Sequence, residues 1–197
     1  ATFSITKATN SVSVTCATLT YNKSAQTLIS SGSATSGSIY YKVGTALTSS
    51  NYSSTGSTTK PTGTNAGDYT VYYYVPASTN YSEASGSKTC TISAYNLSNA
   101  TISGLSNKTY TGSAITQAPT VKVPIPSSSS QTTLTNNTDY TYATTNNTNV
   151  GTATVTVTGK GNYTGTKTAT FSITKATNSV SVTCASLTYN KSAQTLI

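Results

Sequence analysis

The most reactive side chains in this sequence belong to three cysteines, Cys16, Cys90 and Cys184. A thiol can attack as a nucleophile, bind a metal or form a disulfide, and its surroundings decide which. A nucleophilic cysteine needs a base to take its proton, and the chain has no histidine. A metal centre needs several converging ligands, yet the only acids are Asp68, Glu83 and Asp139. Three carboxylates are too few for a calcium cage and offer no pair for general acid–base work. The expectation is therefore no catalytic residue, no metal, no cofactor and no enzymatic activity. Two chemistries stay open for Cys16 and Cys90: a disulfide, or two buried free thiols.

The elements that must hold these cysteines are read from the repeats. Residues 1–29 return at 169–197, with Ser186 in place of Thr18 as the one change. The offset is 168 residues, so the chain reads as one period of a tandem array plus the start of the next. Both ends fall inside the pattern, and a longer molecule is expected. A weaker repeat divides the period. Residues 19–26 (LTYNKSAQ) match 108–115 (KTYTGSAI), and 64–75 match 148–159. The predicted layout has four parts. Residues 1–7 are the last strand of a preceding module, and 8–94 form module A. Residues 95–175 form module B, and 176–197 begin the next A. Linkers this short should hold neighbouring modules at limited angles.

The repeat also places the cysteines. Cys16 falls on Leu105 of module B, and Cys90 falls on Phe171. The A cysteines thus stand where B has an apolar pair from its first and last strands, which predicts that they lie close together. Cys184 is Cys16 moved by 168 residues, so its expected partner is a cysteine beyond the chain end.

Thr, Ser and Asn make up 93 of the 197 residues, a composition that suggests disorder when the charge is also high. Here charged residues are only 7%, and Thr alternates with Val, Ile, Tyr and Ala. These are strand formers, and the prediction is an all-β fold. Ala153, Val155 and Val157 should point inward, with Thr152, Thr154, Thr156 and Thr158 outward. Tyr69, Val71 and Tyr73 form the matching inward set in A, beside Ile39, Tyr41 and Val43. Tyr40, Tyr72 and Tyr74 are then outward and form a candidate contact surface for a glycan, a partner or a neighbouring module. Ordinary cross-strand packing on a solvated face is the other reading. Turns are predicted at Asn65-Ala66-Gly67, Asn149-Val150-Gly151 and Gly159-Lys160-Gly161-Asn162. Pro124, Pro126 and Ser127–Ser130 mark a loop or sheet edge. No helical period stands out.

The net charge of +8 comes from eleven scattered lysines without arginine, so no nucleic-acid footprint is expected. No apolar run is long enough for a membrane span, and no leader pattern is visible. An internal Lys–Asn isopeptide bond would need a buried acid beside the pair. Asp139, the sole acid of module B, is better read as turn chemistry.

Module B resembles the bacterial immunoglobulin-like repeats of large surface adhesins. The resemblance rests on Tyr110-Thr111-Gly112-Ser113-Ala114-Ile115, Asn137-Thr138-Asp139-Tyr140, Asn146 through Val155, Gly159 through Gly165, and the closing Ala169-Thr170-Phe171-Ser172-Ile173. Module A is similar but divergent. Lys23 and Lys191 stand where the pattern has Gly, which points to Asn22 as the positive-φ residue of that turn. The resemblance implies tandem immunoglobulin-like β-sandwich modules in an extended extracellular array, on a cell surface or a secreted appendage. It brings no catalytic residues. The expected function is a structural stalk or fibre segment whose partners are neighbouring repeats. The alternatives are an adhesin module that binds glycan or protein on a host surface, and a subunit of a self-assembling filament of its own copies.

Overall fold

Alternation of small hydroxyl and apolar residues can be satisfied only if one strand face is covered and the backbone is paired. The structure, a computed structural model, describes residues 1–125, 131–184 and 186–195. Module A contains β1 (Val12–Cys16), β2 (Leu19–Thr20), β3 (Gln26–Thr27), β4 (Ile29–Ala34) and β5 (Tyr40–Val43). After a single helical turn, α1 (Tyr52–Thr55), come β6 (Thr62–Gly63), β7 (Gly67–Val75) and β8 (Ala84–Ser93). Module B contains β9 (Tyr95–Asn96), a 3-10 turn at Leu97–Asn99, β10 (Thr101–Ser103), β11 (Lys108–Thr109), β12 (Thr120–Pro124) and β13 (Gln131–Thr133). It ends with β14 (Tyr140–Thr145), β15 (Gly151–Gly159), β16 (Tyr163–Thr164) and β17 (Thr166–Thr174).

The fold is all-β, and the same sheet occurs twice. In A the order is β2-β8-β7-β5, and in B it is β11-β17-β15-β14. In both, the short early strand runs parallel to the last one: Leu19 pairs with Ile92, and Lys108 with Ile173. The other neighbours are antiparallel. Smaller sheets complete each half, β1-β4 in A and β10-β12-β13 in B.

The predicted faces of β15 hold: Ala153, Val155 and Val157 are fully buried, and no Thr between them is. In module A, Ile39, Tyr41 and Val71 are buried as expected. Tyr73 lies across Gly86, its direct partner on β8, and a Cβ at that glycine would collide with the ring. Asp139 behaves as turn chemistry, accepting the Thr135 N–H at 2.8 Å. The Lys23 turn needs a correction. Lys23 itself takes the left-handed conformation, φ 70°, and Lys191 follows at 63°. The side chain of Asn22 is otherwise engaged, accepting the Ser24 N–H at 2.9 Å, so the next residue must turn. Pro124 closes β12, whereas Pro126 and Ser127–Ser130 lie outside the described residues.

Identical sequence behaves differently at the two copies. Phe171 in β17 is 4% exposed, and Phe3, its counterpart in residues 1–7, is 87% exposed with no strand around it. Among the described residues after Thr174 no strand forms, although the matching residues 8–27 supply β1, β2 and β3.

Cys16 and Cys90 form a disulfide across the two sheets of module A, with Cα atoms 5.4 Å apart. At the matching place in B, Leu105 packs against the cluster of Ala153, Val155, Phe171 and Ile173. Closing a loop over a separation of 74 residues contributes about 4 kcal/mol in the chain-entropy model. Reductant should therefore destabilise module A by about that amount while leaving B unchanged. Amide hydrogen exchange resolved by segment, with and without reductant, checks this. An equal response in β7–β8 and β15–β17 would contradict it.

Candidate functional site

Buried apolar contact does not stop at the boundary between the modules. One cluster runs from Leu28, Ile29, Val71 and Ile92 in A to Leu97, Val121, Val123 and Val157 in B. Aromatic rings carry it across. Tyr21 meets Tyr163 edge-on at 5.5 Å between centroids, and Tyr163 meets Tyr95 at 6.3 Å. Such pairs add about 0.5–1.5 kcal/mol each beyond the area they bury. The Tyr95 hydroxyl donates to the Pro124 carbonyl at 2.6 Å, which fixes the ring over β12.

The polar half of the junction is Asn162. Its Oδ1 accepts the Ala66 N–H at 2.7 Å, and its Nδ2 donates to Asn65 Oδ1 at 3.2 Å. The loop it caps is held open by Gly67 at φ 141°, a conformation L side chains rarely adopt. The Asn162 carbonyl meanwhile accepts the Tyr95 N–H at 2.9 Å. Asn162 thus ties the start of module B to its own last turn and to the far loop of module A. The sequence placed Asn162 only in a turn and did not mark the junction. The signal lay in the second Asn-Tyr pair, Asn80-Tyr81, at the same place in module A.

The tyrosine surface expected at Tyr40, Tyr72 and Tyr74 is different from its prediction in one member. Tyr74 is buried. Residues 40, 72 and 74 do share the face opposite the core, as the register Tyr40↔Tyr74 and Lys42↔Tyr72 requires. But α1 folds back over that face, and Tyr52 stacks on Tyr74 at 5.0 Å while meeting Tyr40 edge-on at 4.8 Å. The Tyr74 hydroxyl donates to the Glu83 carboxylate. Tyr40 and Tyr72 remain half-buried. Cys184 is an exposed free thiol in a segment without strands.

The other acids are also taken up locally: Asp68 accepts the Thr91 hydroxyl at 2.6 Å. Among the described residues no group of three His, Cys, Asp or Glu could hold a metal. No helix among the described residues is long and apolar enough to cross a membrane. Among the described residues, open concavities are lined by Asn146–Thr152, by Gly32 to Lys60 across β4 and β5, and by Ile5–Ala8 with Thr79 and Asn80. Their linings are Asn, Thr, Ser, Lys, Gly and apolar residues with one phenol, Tyr41.

Burial pushes several phenols up. Tyr74 rises to about 12, first from burial and then from its bond to Glu83. Tyr163, Tyr41 and Tyr140 are raised by burial as well. A phenol whose folded pKa exceeds its unfolded value of about 10 binds its proton more tightly in the native state. The associated stability is complete below pH of about 10 and is lost as pH rises through the folded values. Denaturant midpoints should therefore fall between about pH 10 and 12, with phenolate absorbance rising later in the folded than in the unfolded chain. A midpoint flat across that window would refute the assignment.

The junction gives a second expectation. Asn162→Ala leaves the Ala66 N–H without its partner and should cost about 1–2 kcal/mol. Asn80→Ala, at an exposed position, should cost little. Paired denaturation curves check the contrast, and equal losses would count against the role given to Asn162.

No protein-family model matches this chain, and no curated protein sequence does.

Proposed function

We propose that the chain is a segment of a structural stalk or fibre, a repetitive extracellular surface protein built of tandem immunoglobulin-like β-sandwich modules. The observation that carries this reading is the junction. A continuous apolar cluster and the two side-chain bonds of Asn162 join successive modules, where a flexible linker would leave them to swing. Near-identical copies 168 residues apart support an array whose length is set by repetition. The Cys16–Cys90 disulfide fits an oxidising, extracellular setting.

The mechanism is mechanical. In each module an early strand lies parallel to the last one, β2 on β8 and β11 on β17. In B, tension applied along the chain pulls these neighbours in opposite directions along their length, so their hydrogen bonds are loaded together. In A, β2 lies inside the loop closed by Cys16 and Cys90, so its pairing with β8 is loaded only after reduction. In A the disulfide joins β1 to β8 and removes the 74-residue span from any extension. The tyrosine face is a weaker basis for an adhesin role, because Tyr74 is covered by Tyr52.

Single-molecule pulling tests the reading. Oxidised module A should release only the short segments outside the disulfide. Reduction should add about 250 Å of contour length, from 74 residues at about 3.4 Å each. Electron microscopy of purified material should show straight beaded strands. A broad spread of angles at the A–B junction would sink the stalk reading, and loss of cell attachment in a folded Tyr40→Ala, Tyr72→Ala variant would replace it with the adhesin reading.

A further inference from the structure

The A–B junction has a counterpart that is half assembled. Tyr21 and Tyr110 occupy matching places: each donates its N–H to the carbonyl of the final residue of the last strand, Ser93 and Thr174, both at 2.8 Å. Asn65-Ala66-Gly67 and Asn149-Val150-Gly151 match in backbone, with Gly67 at φ 141° and Gly151 at 144°. Asn162 and Asn80 match too, since their carbonyls accept the N–H that opens each module, from Tyr95 at 2.9 Å and from Ala8 at 2.8 Å. At the junction inside this chain Tyr21 is buried and the Ala66 N–H is taken up by Asn162. At the far end of module B their counterparts are open: Tyr21 is 8% exposed, Tyr110 is 40% and Val150 is 46%.

We infer that Tyr110, Asn149 and Val150 form a docking face for a module A of another period, which presents its Asn80 and Tyr81. The contacts follow from the junction already described. Asn80 Oδ1 accepts the Val150 N–H, Asn80 Nδ2 donates to Asn149 Oδ1, and the Tyr81 ring packs edge-on against Tyr110. The sequence names the occupant, because residues 176–195 repeat the opening of module A directly after B. Val150 stands where the first junction has Ala66, so this second joint buries a larger apolar side chain.

This inference rests on the array reading only for bringing a second module A beside B. The test compares the 197-residue chain with a chain of two complete 168-residue periods, by amide hydrogen exchange. In the two-period chain the Val150 amide of the first period should exchange about tenfold more slowly. Asn80→Ala in the second period should abolish that protection, while the Ala66 amides, capped by Asn162, stay protected and report that both periods are folded. Equal exchange of Val150 in the two chains, with both Ala66 amides protected, overturns the docking face. It leaves the stalk standing as an array with one stiff and one loose joint per period. Protection that persists in the Asn80→Ala variant also overturns it, since the contact would then run through other residues.

Discussion

A strand made of Thr alternating with Val or Ala has little reason to form by itself. Its N–H and C=O groups need a neighbouring strand, and its apolar face needs a second layer. The two copies of ATFSITK make the dependence visible. At 169–175 the sequence finds β15 on one side and β11 on the other, and its Phe and Ile are buried. At 1–7 the same residues meet no strand, and Phe3 and Ile5 face solvent. Pairing, not propensity, is the constraint that the rest of the fold obeys. The long β7–β8 and β15–β17 ladders are its main expression, with nine and eight paired positions.

The two modules solve one packing problem in two ways. Where A has a cystine between its first and last strands, B has Leu105 packed against the cluster that contains Phe171. A cystine restricts the unfolded chain, whereas an apolar pair stabilises the folded one by leaving water. Module A also carries tyrosines where B carries smaller apolar residues: Tyr69 and Tyr73 stand opposite Ala153 and Val157 in the repeat. Bulky rings need room, and glycines such as Gly63 and Gly86 give it. The cores are thus of different composition on the same strand order.

What the sequence made legible followed from periodicity and from internal comparison. Alternation placed Ala153, Val155 and Val157 inside, and the match to Leu105 and Phe171 paired Cys16 with Cys90. What it hid depended on contacts between segments distant in the chain. Periodicity assigns Tyr74 to a face, but the covering of that face by Tyr52 comes from a single helical turn too short to leave a period. Lys23 at positive φ could not be read from propensity, because the side chain of Asn22 had been committed to Ser24. The junction was hidden for a third reason. Asn162 and Asn65 are ordinary turn residues in isolation, and only their meeting across 97 positions gives them a role.

The difference between Ala66 and Val150 makes the two ends of a period unlike. An A set behind another A would bring Asn80 and Tyr81 against Ala66 and Tyr21 in place of Val150 and Tyr110, and a B behind a B would reverse the exchange. In the proposed array, insertions or losses during replication that keep every seam matched would occur in whole A–B pairs. Lengths drawn from such a gene would differ in steps of 168 codons, and an odd number of modules would leave a fault where the ladder of joints changes its spacing.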